Sequence, residues 1–176
     1  MQGCKTSIIP YPEDFLTMKL IDPSTENSGD QPIINASGRD ANGPYRIASY
    51  KNYNTFEMQY PTGNWEIVDK VYKNANYVTS EGISVGSSKK DVVNAYKKYG
   101  LVEYKITKIT NINVRSLDLL IKGVDLADTF LYVDNHNAFS DSYPGVNYWG
   151  GSGAFIFIIN TGNVVERILS YSPTAG

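Results

Sequence analysis

A chain of 176 residues is long enough to bury a hydrophobic core without disulfide support. Its 16 Lys and Arg against 18 Asp and Glu leave a net charge of −2, which gives no electrostatic case for nucleic-acid binding. With 41% hydrophobic and 19% charged residues the composition is that of a globular protein and excludes a disordered chain. The single cysteine, Cys4, rules out an intrachain disulfide. The longest apolar run, Ala154 to Ile159, is far too short to cross a bilayer as a helix. Fourteen tyrosines stand out, because a flat apolar ring with a polar tip suits sheets and partly wet binding faces.

Residues 1–44 read as an N-terminal tether and irregular arm. Pro10, Pro12, Pro23, Pro32 and Pro44 punctuate it, and Asp22 to Asp30 is polar. Within it, Glu13 to Leu20 is expected to form a short helix behind Pro12 at its first position. Residues 45–176 read as one domain. Tyr45–Tyr50, Asn54–Tyr60 and Trp65–Tyr72 are β-rich, with a turn at Pro61-Thr62-Gly63-Asn64. Asn74 to Ser80 leads into the helix around which the chain is organised.

That helix, about 88–99, has both ends written in sequence. Ser88 with Asp91 three residues on forms a capping box, with Asp in place of the usual Glu. Val92, Ala95, Tyr96 and Tyr99 make one apolar stripe, and Gly100 is placed to take the left-handed position past the end. Beyond it, Val102–Ile109 alternates as a half-buried strand, and Leu117–Ile121 and Thr129–Val133 are further strands. The chain closes on a hairpin: Ala154–Ile159, the loop Asn160-Thr161-Gly162-Asn163, then Val164–Tyr171. Continuous apolarity in Phe155–Ile159 predicts a central strand covered by the helix. The expected fold class is α+β: an antiparallel sheet with one main helix packed on one face.

Chemistry-bearing residues are sparse. The one histidine, His136, could serve a Ser-His-Asp triad with Asp134 or Asp141, but no Gly-x-Ser-x-Gly elbow supplies the serine, and Gly86-Ser87-Ser88 is better explained as a helix cap. A loop histidine without catalytic duty is the expectation, with a hydrolase kept as an alternative. One His and one Cys far apart make no zinc site. Asp134, Asn137 and Asp141 offer oxygen donors without the spacing of a calcium hand, so calcium binding in that loop stays open. No metal and no cofactor is expected. Tyr143, Tyr148 and Trp149 lie among glycines in Tyr143–Gly153, where they could stack on sugar rings or anchor a protein. The favoured reading of Trp149, however, is a plug at the edge of the core while the glycines let the backbone turn.

Three segments carry a resemblance, one to a processing site and two to a family. Gly3-Cys4 resembles the processing site of bacterial lipoproteins, whose cysteine becomes the lipidated first residue, although no apolar signal segment precedes it. Gly82 to Val92, with Tyr96 and Gly100 after it, resembles the helix start of small bacterial extracytoplasmic lipoproteins of the outer-membrane assembly (SmpA/OmlA) type and of the β-lactamase-inhibitor-protein type. Gly162-Asn163-Val164-Val165-Glu166-Arg167-Ile168 fits the strand that follows in those families. The resemblance implies a non-enzymatic bacterial protein of the cell envelope, lipid-anchored through Cys4 or else secreted, that binds a protein or glycan partner through its sheet or loops. It meets the membrane only through the anchor. A carbohydrate-binding module built on Tyr143, Tyr148 and Trp149 is the alternative.

Overall fold

A computed structural model describes residues 15–25, 30–105, 123, 126–134 and 154–171. An eight-stranded antiparallel sheet dominates, made of two four-stranded meanders that meet edge to edge. The first runs through β2 (Ile33–Asp40), β3 (Gly43–Ser49), β4 (Tyr53–Gln59) and β5 (Trp65–Tyr72). The second runs through β7 (Val102–Lys105), β8 (Leu126–Asp134), β9 (Ala154–Asn160) and β10 (Val165–Tyr171). Strand β10 pairs antiparallel with β5, so the sheet order is β2-β3-β4-β5-β10-β9-β8-β7. Between the meanders come β6 (Tyr77–Thr79) and the helix α1 (Lys89–Tyr96). The architecture is α+β with the sheet as its bulk and the helix as a minor part.

The helix begins as the sequence dictates. Asp91 N–H donates to the Ser88 hydroxyl oxygen at 3.1 Å, and the Asp91 carboxylate accepts from the Ser88 N–H at 3.3 Å. It ends sooner than expected. The α-helical bonding stops at Tyr96, and Lys97–Tyr99 continue as a 3-10 turn closed by Gly100 with φ of 77°. A tightened last turn is one way to satisfy carbonyls that have no further intrahelical donors.

Tyr96 and Val92 are fully buried against the second meander. The Tyr96 ring lies 5.3 Å from Phe157 and 6.3 Å, edge-on, from Phe155. The register places Tyr72, Ile168, Phe157 and Leu131 in one row across the sheet on this side. The next row, Val71, Leu169, Ile156 and Tyr132, faces the other way and is buried too. Both faces of β9 are thus covered, which is why it reads as an unbroken apolar run instead of an alternating one.

The two segments that carry the family resemblance touch each other. Gly86 N–H donates to Val165 C=O, Val165 N–H to Ser87 C=O and Lys89 N–H to Asn163 C=O, each at 2.8 Å. The helix start is therefore stitched to the turn of the β9–β10 hairpin, where Asn163 takes the left-handed conformation with φ of 59°.

Three expectations need correction. The short helix over Glu13–Leu20 does not extend to its end: β1 (Met18–Leu20) is a strand paired with β6, a strand that the expected lead-in of Asn74–Ser80 left unassigned. A helix of that length is marginal on its own, and the apolar side chains Leu16, Met18 and Leu20 gain more by lying against the core. Phe15 is buried on Tyr99, with ring centres 4.6 Å apart. Residues 33–40, expected within an irregular arm, form β2, a full strand of the main sheet. The turn Asp40-Ala41-Asn42-Gly43, with Asn42 N–H donating to the Asp40 carboxylate at 2.7 Å, joins it to β3. Strand Leu117–Ile121 and the end of Val102–Ile109 lie outside the described residues.

Candidate binding surface

The face that α1 covers over the second meander continues onto the first, and there it changes character. The row after Phe155 and Ser170 runs through Lys70, Thr55, Ala48 and Ile34. Beyond it, cross-strand pairing sets Arg46, Glu57 and Ile67 side by side. Val68 has no opposite number on β4, and this bulge brings Ile67 and Trp65 onto the same face as Glu57 and Gln59.

Glu57 organises this region. Its side chain is 3% exposed, and both oxygens are occupied. One accepts from Tyr50 O–H at 2.9 Å and from Thr55 O–H at 2.7 Å. The other accepts from Arg46 Nε and Nη2, each at 2.7 Å. A buried carboxylate is tolerated only when paired and hydrogen-bonded in this way. Burial and the bond to Glu57 push the Tyr50 hydroxyl up to about 12. The Arg46 guanidinium also lies 4.4 Å above the Trp65 ring centre, so the aromatic side chain is pinned by a cation. Both Glu57 oxygens and the Tyr50 hydroxyl are thus engaged within the sheet. The arrangement rigidifies a surface.

The rim of that surface is β2. Seven of its eight residues are exposed, Ile33 at 70% and Ile34 at 46% among them. Nothing pairs with its outer edge among the described residues, since β2 ends the sheet order. Tyr45 lies over Gly38, where a β-carbon would meet the Tyr45 hydroxyl at 2.6 Å, so the ring covers the glycine's gap in the strand.

Of the residues singled out from sequence, Cys4, His136, Asn137, Asp141, Tyr143, Tyr148 and Trp149 lie outside the described residues. Asp134 is the last residue of β8, its backbone paired with Ala154. Among the described residues no group of three or more His, Cys, Asp and Glu could hold a metal ion, and no helix is long and apolar enough to cross a membrane. Sequence reasoning missed the β2 edge and the Glu57 network. Asp40-Ala41-Asn42-Gly43 was the available signal for the first, being a turn between two β-capable runs. The second had only a Glu amid strand residues to announce it.

No family model, no curated protein and no solved structure matches this chain.

Proposed function

We propose that this protein is a non-enzymatic binding domain of the bacterial cell envelope, anchored through Cys4, which takes a protein partner along the free edge of its first meander. The observation that carries the binding reading is β2: a long terminal strand with Ile33 and Ile34 facing water and its outer backbone groups unmatched among the described residues. Such an edge is a template for an added strand, and soluble proteins usually blunt it with charges or cover it. The rigid Arg46–Glu57–Trp65 surface behind it would fix the approach of a partner without ordering cost. The stitching of the helix start to the Asn163 turn supports the envelope resemblance, because the two resembling segments form one structural unit. Anchoring rests on Gly3-Cys4 alone.

Two experiments test the two parts separately. Cells expressing the full gene are fed labelled fatty acid, with Cys4→Ala as the comparison; label that persists in the variant refutes the anchor. For the edge, immobilised wild type and an Ile33→Lys/Ile34→Lys variant are exposed to the same envelope extract. The reading expects a protein retained by the wild type and lost from the variant. Identical retention by both would remove the edge from the function.

A further inference from the structure

The β2–β3 turn carries a chemical liability that the rest of the fold does not share. Asn42-Gly43 is the only Asn-Gly pair in the chain. The main-chain nitrogen following an asparagine can attack its side-chain amide, and glycine removes the side chain that would obstruct the attack. The local structure favours it in two ways. Ala41 and Asn42 are exposed, and the Asn42 amide makes no hydrogen bond among the described residues. By contrast, Asn52, Asn74, Asn76 and Asn160 all use their side-chain amides or carbonyls in hydrogen bonds. The tip is also held mainly from one side: the β3–β4 ladder ends at Tyr45 opposite Met58, and beyond it the Gln59 carbonyl only lies beside Gly43. Pro44 has no N–H with which to add a bond there.

We propose that Asn42 is a site of spontaneous deamidation and isoaspartate formation, with water as the only co-reactant. The Gly43 nitrogen loses its proton to solvent base and forms a bond to Asn42 Cγ. The Cγ–Nδ2 bond breaks, and Nδ2 leaves as ammonia. Water then opens the cyclic imide at either carbonyl, restoring a normal aspartyl link or leaving an isoaspartyl one. The isoaspartyl product inserts a methylene into the backbone of a tight turn. Both products set a new carboxylate beside that of Asp40, which already accepts from the residue-42 N–H at 2.7 Å. The edge strand β2 depends on that turn for its register, so the modification loosens it from β3.

The test follows the full chain in mildly alkaline buffer, folded and in guanidinium, with peptide mapping and enzymatic methylation of isoaspartate at residue 42. The expected result is acid at residue 42 in the folded protein, formed no more than about tenfold slower than in the unfolded chain because the tip opens locally at little cost. The rate should rise with pH, and Asn42→Gln should abolish the signal while keeping the wild-type melting curve. A folded-state rate more than about tenfold below the unfolded one would show that the turn protects its amide, overturning the proposal.

Discussion

The two meanders share a secondary structure and differ in what holds them. The second is held by apolar packing: β9 is buried on both faces, and Val92, Tyr96 and Tyr99 close over it. The first extends away from the helix. Its interior on the helix-side face is a buried carboxylate satisfied by a guanidinium and two hydroxyls, and its far strand is exposed almost throughout. The contrast teaches that one sheet can assign stability to one end and leave the other free to present a surface. Each half fails differently when cut.

Truncation inside the second meander should have the largest effect. Phe157 is fully buried and touches both Tyr96 and Phe155, so Phe157→Ala should cost about 3–5 kcal/mol in urea unfolding. Ile34→Ala at the rim of the first should change the same measurement by less than about 0.5 kcal/mol. Equal losses would mean that the halves are not distinguished by packing. Arg46→Ala probes the polar interior. It leaves Glu57 with two hydroxyl donors and no counter-charge. The loss expected is about 2 kcal/mol, below the range for a fully buried pair because Arg46 is itself 24% exposed. Trp65 should become more exposed to fluorescence quenchers as its cation leaves.

The second meander and its helix were largely legible in sequence, for physical reasons. Ser88, Asp91 and Gly100 act through local backbone geometry, and the Phe155–Ile159 run states its burial in its composition. The first meander's three inner strands were legible too, because alternation survives wherever one face is buried. Its fourth was not. Strand β2 reads Ile-Ile-Asn-Ala-Ser-Gly-Arg-Asp, and exposure on both sides erases the period that marks a strand. Its pairing partner β3 decides its conformation, and that is tertiary information. The same holds for β1, three residues whose strand state comes from β6. Glu57 was opaque because its three donors come from positions 46, 50 and 55, brought together only by the β3–β4 register. The aromatic loop, His136 and Cys4 had their residue types legible, and they lie outside the described residues.

A smaller effect separates local from tertiary causes in the legible half. Ser88→Ala removes the acceptor for the Asp91 N–H and should lower stability by about 1 kcal/mol. Ser88→Gly should cost only a few tenths of that, since glycine at a cap leaves the backbone groups open to water. If both variants lost several kcal/mol, the backbone stitching of Gly86–Lys89 to the Asn163 turn would be the true determinant, and the cap merely its companion.

The weakest effect lies at alkaline pH and again divides the two halves. Tyr50 has its folded pKa raised, chiefly by burial and then by its bond to Glu57, from an unfolded value near 10 to about 12. The folded state therefore holds the phenolic proton more tightly than the unfolded chain. That contribution is complete below about pH 10 and is lost as pH rises towards 12. Tyr96 is raised as well, mainly by burial, and its hydroxyl donates to the Phe15 carbonyl at 3.3 Å, tying the helix to the segment that leads into β1. Tyr50→Phe should flatten part of the alkaline fall in stability and leave the Tyr96 part in place; Tyr96→Phe should do the reverse. Because Tyr50 reports on the first meander and Tyr96 on the helix-covered one, hydrogen exchange at high pH should show β3 and β4 loosening in the Tyr96→Phe protein while α1 keeps its protection. Simultaneous loosening of β4 and α1 in that variant would mean that one cooperative unit spans both meanders, and the division between a packed half and a presenting half would then be one of surface chemistry alone.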